Sequence, residues 1–222
     1  MKPNFNEEKK WWKQGYECVV GLDEAGRGPL AGPVIAAAVM VRQFPISNSQ
    51  FPKINDSKKL SEKQREFFYE ILTNHPQIKW GIGVVSEKVI DRINILEASK
   101  LAMQKAIESI AMSDIARVLQ CPTLQGSPDF LLIDGNFGLQ INIPQKSIIK
   151  GDSKVFSIAA ASIIAKVTRD RLMRKMHKKY PQYGFNLHKG YGTALHIANL
   201  KNFGASKIHR KTFYPVSDLF TS

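Results

Sequence analysis

The order of apolar and amphipathic segments predicts an α/β fold, a mixed five-stranded sheet flanked by helices. Three apolar runs of strand length fall within the first 86 residues, and two more follow, separated by helical stretches. Three of these strands close on acids that lie next to, or within two residues of, a glycine. In an open α/β sheet, functional groups gather just beyond the strand ends.

Each element has its own signal. ECVVGL (17–22) and PVIAAAVMV (33–41) read as two strands joined by a Gly-rich stretch. SNSQFPKINDSKKL (47–60) reads as loop. Ser61 then caps a helix, because Gln64 follows at capping-box spacing and Phe67, Phe68 and Ile71 recur at helical period. IKWGIGVVS (78–86) is the third strand. Asn94 with Glu97 marks a second cap, after which Leu96, Met103, Ile107 and Ile110 fit one helical face. FLLIDG (130–135) is a short apolar strand, and QKSIIKGD (145–152) a fifth strand ending in Gly151 and Asp152. A long helix follows from about Val155 to Tyr180. Polar, Gly-rich and basic segments with short helices come after Pro181. The chain thus divides into an extension over 1–16, a main domain over 17–180 and a C-terminal helical, basic segment over 181–222.

Composition narrows the function. The chain of 222 residues is 43% apolar, and its 32 basic against 19 acidic residues give +13. Such an excess is costly by self-repulsion and points to a polyanionic partner, with solubility alone as the plainer reading. Cys18 and Cys121 form no C-x-x-C pair, so neither a disulfide framework nor a zinc site is indicated. The N-terminus lacks the apolar stretch of a secretory signal, and no segment is apolar enough to span a membrane. The expectation is a soluble, cytoplasmic protein.

Asp23-Glu24, Asp134 and Asp152 are the acids at the strand ends. If those ends meet, four like charges converge and cannot all stay ionised without a counter-charge. A hard divalent cation, Mg²⁺ or Mn²⁺, is the natural solution, and two such ions form an apparatus for phosphodiester cleavage. Neighbours on a strand point to opposite faces. Asp23 and Glu24 can therefore share one site only if the strand stops or twists there, as Gly26 and Gly28 allow. Any single acid–glycine pair reads equally as turn chemistry.

The glycines Gly26, Gly28 and Gly32 miss the G-x-G-x-x-G spacing by one residue, and no G-K-[ST] follows, so a nucleotide cofactor is not indicated. Backbone amides freed there, with Arg27 between two glycines, could still grip a sugar-phosphate backbone. KVTRDRLMRKMHKK (166–179) holds seven Lys or Arg against one acid, and is either a phosphate rail or a solvated face. Lys58 and Lys59 offer a further phosphate contact, and Tyr191, between glycines, a ring to stack on a sugar or base. The five histidines match no metal motif. Ser153, Ser157 and Ser162 match no Ser-His-Asp logic, and Ser157 and Ser162 read as helix-packing residues.

GLDEAGRGPLAGPV, DSKKLSEKQRE, INILEASKLAM, LLIDGN, KGDSKVFSIAAASIIAKVTRDRLM and HKGYGTALH occur in that order. Together they closely resemble the bacterial ribonuclease HII family, of the type 2 RNases H, from about Trp11 to Phe213. The resemblance implies an RNase H-like fold with a helical C-terminal segment. It also implies endonucleolytic cutting of RNA in RNA–DNA hybrids, and cutting 5′ of ribonucleotides embedded in duplex DNA. The ends would be a 3′-hydroxyl and a 5′-phosphate, with Mn²⁺ or Mg²⁺ as cofactor. Carried over position by position, it makes Asp23, Glu24, Asp134 and Asp152 both metal-binding and catalytic. Gly26, Arg27 and Gly28 become the segment sensing a 2′-hydroxyl, Tyr191 a contact to the substrate sugar and Lys58 a contact to its backbone. A monomer acting on nucleic acid, away from membranes, is expected. The related ribonuclease HIII family differs by an additional N-terminal domain and by lacking the G-R-G arginine. Here about 16 residues precede the first strand and Arg27 is present. A non-catalytic nucleic-acid binder is the rival reading, and four acids inside a basic protein weigh against it.

Overall fold

The computed structural model describes residues 2–42, 54–117 and 127–220. Cys121 and the first part of the loop expected at 47–60 lie outside the described residues. The elements run α1 (Asn6–Trp12), β1 (Cys18–Ala25), β2 (Val34–Arg42), α2 (Glu62–Asn74), β3 (Ile78–Val85) and α3 (Glu87–Arg117). They continue with β4 (Phe130–Asp134), β5 (Gln145–Ile148), α4 (Phe156–Lys179), α5 (Phe185–His188) and α6 (Ala194–Phe203). The strands form one five-stranded sheet in the order β3-β2-β1-β4-β5. The first three strands pair antiparallel, and β1, β4 and β5 run parallel, so the mixed α/β architecture expected from the sequence is borne out.

Each face of the sheet buries one long helix. Val19, Ala37, Val39 and Leu132 pack beneath the apolar first half of α4. Val20, Leu22, Ala38, Met40 and Ile133 pack beneath Ala102, Met103, Ala106 and Ile110 of α3. The second contact is close because small residues meet there. A Cβ on Gly83 would lie 1.9 Å from the Ala102 carbonyl oxygen, so only glycine lets α3 sit that low. No helix among the described residues is long and apolar enough to cross a membrane.

Four local expectations change. β1 does not stop at Leu22 but continues through Asp23 and Glu24 to Ala25, paired with Ala37, Ala36 and Ile35 of β2. Acids are poor strand formers, yet continued pairing with β2 overrides that propensity. The fifth strand ends at Ile148, and Asp152 lies in a 3₁₀ turn, Gly151–Ser153, after left-handed Lys150. Asn94 does accept from the N–H groups of Leu96 and Glu97, but as a kink (φ 67°) inside a helix that already begins at Glu87. The capping box of Ser61 and Gln64 is present, yet the buried face of α2 is turned by one residue from the one expected. Phe68 and Leu72 join the core while Phe67 is 61% exposed.

Candidate functional site

Parallel pairing builds the centre of the site. The register Leu22↔Ile133 sets the next residues, Asp23 of β1 and Asp134 of β4, side by side. Asp152 arrives from the 3₁₀ turn that leads into α4, where the Gly151 N–H donates to Asp134 Oδ1 at 2.7 Å. Oxygens of Asp23, Asp134 and Asp152 all lie within 4.8 Å of one another, from three separate elements. Glu24 stands apart from this group. Alternation along β1 puts Asp23 on the face covered by α4 and Glu24 on the opposite one, because the strand runs on through both. Glu24 still lines the same cleft of about 410 Å³ at the strand end.

The electrostatics follow from that crowding. Burial, then the charges of Glu24 and Asp134, push the Asp23 carboxyl well above its ordinary range. Burial raises Glu24 as well, against the pull of the Arg27 guanidinium. Asp134 is raised by burial and by the Asp152 charge. Lys58 supplies a direct counter-cation: its Nζ donates to Asp152 Oδ2 at 2.8 Å, from a side chain that is 76% exposed. Burial works against the Lys58 ammonium, but its hydrogen bond to Asp152 and that carboxylate's charge hold it above the ordinary lysine range. The oxygen-only donor set suits a hard divalent cation, and the buried Oε2 of Glu24 has no hydrogen-bond partner among the described residues. These residues could hold such an ion.

Around the acids, the expected residues take these positions. Gly26, Arg27, Gly28, Lys58 and Tyr191 all line the cleft. Gly26 has φ 103°, and a Cβ there would lie 2.2 Å from Arg169 Nε, so the position admits only glycine. The Arg27 side chain leans back on the acids, with Nη1 3.4 Å from Glu24 Oε1. Tyr191 is 42% exposed and faces Gly28, with the charges of Lys166 and Arg169 lying 5.7 and 5.8 Å from its ring centre.

Several contributors escaped the sequence reading. Ser162, read as a packing residue, lines the cleft with the acids, and its hydroxyl lies 2.8 Å from the Ser57 hydroxyl. Ser162, Lys166 and Arg169 recur at i, i+4 and i+7, a polar stripe on an otherwise apolar helix that could have flagged this face. The basic run 166–179 is not a free rail. Arg169 is buried and donates to the carbonyls of Ala31, Pro33 and Lys189. Arg171 and Arg174 pair with Glu62, Glu66 and Glu70 of α2, and Lys166 with Asp170. Three histidines without a motif do come together. The Ser206 N–H donates to His209 Nδ1 (2.8 Å), so His209 Nε2–H faces His196 Nε2 (3.0 Å). His196 Nδ1–H then donates to the Tyr191 carbonyl at 2.9 Å. Burial pushes both imidazoles down to about 4, so the chain is neutral and holds the Tyr191 loop; His188 stacks on His196 at 4.3 Å.

Similar proteins share this arrangement of elements. The family model described as Ribonuclease HII matches residues 20–216. A ribonuclease HII of Chlamydia trachomatis serovar A is 53% identical over 206 residues, covering 93% of this chain and 86% of its own. The crystal structure of ribonuclease H2 from Pyrococcus horikoshii OT3 superposes with a TM-score of 0.67 at 26% identity, covering 91% of this chain and 96% of that one. The crystal structure of Bst-RNase HIII in complex with Mn²⁺ has the same fold, with a TM-score of 0.67 at 17% identity over 92% of this chain and 70% of its own.

Proposed function

The chain belongs to the ribonuclease HII family, RNase H endoribonucleases of RNA–DNA hybrids, and from that premise we propose a divalent-metal enzyme that also cuts 5′ of ribonucleotides embedded in duplex DNA. The observation that carries this reading is the convergence of Asp23, Asp134 and Asp152 within 4.8 Å beneath a cleft rimmed by Lys58, Arg65 and Lys166. Asp23, Asp134 and Asp152, with Glu24 at the edge, would hold Mn²⁺ or Mg²⁺. Bound there, the ion would supply a nucleophilic water at neutral pH and positive charge for the leaving 3′-oxygen. The basic rim would take the flanking phosphates, and Lys58 would exchange Asp152 for one of them. The N–H groups of Arg27 and Gly28 would bond the 2′-hydroxyl, the group that separates RNA from DNA. The Tyr191 ring would lie against the sugar. Residues 17–180 would form the catalytic body and 181–222 the frame of the recognition loops, in a monomeric, cytoplasmic enzyme.

The test is a DNA duplex carrying one ribonucleotide, with Mg²⁺ or Mn²⁺ titrated. Cutting is expected 5′ of the ribonucleotide, leaving a 3′-hydroxyl and a 5′-phosphate. Asp134→Asn should lower the rate by about three orders of magnitude, the scale of several kcal/mol of lost charge stabilisation. Metal-independent cutting, or equal cutting of an all-DNA duplex, would refute the reading.

A further inference from the structure

Arg210 belongs to no motif and lies far from the acids in sequence, yet it is completely buried. Its guanidinium has no carboxylate within ion-pair distance among the described residues. Instead each of its three nitrogens donates to a backbone carbonyl of the Gly-rich loop. Nη2 donates to Gly26 O at 2.6 Å, Nη1 to Arg27 O at 2.9 Å and Nε to Gly32 O at 2.9 Å. Its own segment is stitched to the same loop, Arg210 N–H to Leu30 O and Gly32 N–H to Ile208 O, each at 2.8 Å.

The carbonyl directions have a consequence for the amides. In a planar trans peptide unit the C=O and the following N–H point in opposite directions. With the carbonyls of Gly26 and Arg27 turned inward to Arg210, the N–H groups of Arg27 and Gly28 turn outward, on the side where these residues line the cleft. Among the described residues no group accepts a hydrogen bond from either of them. A charge-assisted bond to a carbonyl is stronger than a neutral one and polarises the peptide, which makes its N–H a better donor. Burying a guanidinium without a counter-ion is costly, and burial together with the nearby Arg169 pulls Arg210 down to about 9, which leaves it charged at neutral pH. A cation kept there at such cost, bonded to these peptide units, suits a purpose beyond filling space.

We propose that Arg210 is a positioning residue for sugar discrimination: it fixes and polarises the two peptide units whose N–H groups meet the substrate's 2′-hydroxyl. This rests on the reading that the Arg27 and Gly28 amides recognise that hydroxyl. Lysine at 210 would keep the charge but has a single donor centre, and cannot hold Gly26 and Arg27 in the same fork.

The experiment compares wild type, Arg210→Lys and Arg210→Gln as full chains in metal-free buffer. Affinity is measured for two duplexes that differ by one 2′-hydroxyl, alongside thermal unfolding. Wild type should prefer the ribonucleotide duplex. Arg210→Lys should stay folded and keep its all-DNA affinity while its preference for the ribonucleotide falls about tenfold, with Arg210→Gln losing at least as much. Equal binding of both duplexes by wild type would sink the underlying reading of the amides. If wild type discriminates and a folded Arg210→Lys discriminates equally, that reading stands and the role of Arg210 falls. A parallel loss of affinity for both duplexes, or failure of both variants to fold, would likewise overturn it, leaving Arg210 a structural staple.

Discussion

Glu8 shows how much a single side chain can hide. It sits in NEEKKWW, a stretch whose charges read as solvent-facing, yet it is completely buried under the start of α4. Val155 caps α4 without a side-chain bond, and Glu8 supplies the missing acceptor: its Oε1 takes the Ser157 N–H at 2.8 Å. Oε2 is buried with no hydrogen-bond partner among the described residues, and burial raises the carboxyl from 4.5 to about 7. The folded state therefore holds this proton more tightly than the unfolded chain. The cost of ionising Glu8 is absent below about 4.5 and grows as pH rises toward and past 7. Glu8→Gln keeps the acceptor and removes the charge. It should stabilise the protein at pH 8 by on the order of 2 kcal/mol, less than the full shift because the helix N-terminus favours the anion. The difference should vanish near pH 4.5 in urea unfolding, and a pH-independent difference would refute the assignment. Nothing local could have shown this, since Ser157 is 149 residues away. Asp23, Asp134 and Asp152 were legible because an acid within two residues of a glycine, just after an apolar run, is a local pattern.

At the scale of elements, apolar periodicity carried the fold, and errors arose where a neighbour in space overrode it. β1 reads as ending at Leu22 because nothing in the sequence reveals that β2 pairs with it further and carries it on through Asp23 and Glu24. That extension puts the two acids on opposite faces: Asp23 meets Asp134 and Asp152 within 4.8 Å, and Glu24 lines the same cleft beside them. The turn 87–93 escaped notice because the Asn94 cap signalled a helix start and hid the helix already running into it. The two glycines of IKWGIGVVS were legible as strand residues but not as a seat for α3. A Cβ on Gly81 would meet the Ala106 carbonyl oxygen at 2.2 Å, and one on Gly83 the Ala102 oxygen at 1.9 Å. These obstacles are backbone atoms that cannot rotate away. Gly83→Ala should therefore cost about 3 kcal/mol, at the upper end for overpacking, read as a lower denaturant midpoint. A change below about 0.5 kcal/mol would mean that α3 shifts freely on the sheet.

For the whole molecule, the excess of +13 is real but unevenly available. The seven cations of 166–179 promised a phosphate rail, and a sequence cannot show which of them are already engaged. Arg171 Nη2 lies 2.6 Å from Glu66 Oε2, Arg174 Nη2 2.7 Å from Glu62 Oε1, and Arg169 points into the protein. These bonds fasten α4 to α2 across the flank of the sheet. Counterion release depends only on cations that reach phosphate, so the salt dependence of hybrid binding separates the two groups. The double variant Arg171→Gln/Arg174→Gln should leave the slope of log K against log salt unchanged. It should lower stability by no more than about 1 kcal/mol per pair, because these pairs are partly exposed. Lys58→Gln removes a cation that lines the cleft and is held by Asp152, and should reduce the slope by about one. A slope reduced by about two in the double variant would show that the α2 glutamates release Arg171 and Arg174 to the substrate, restoring the helix as a rail.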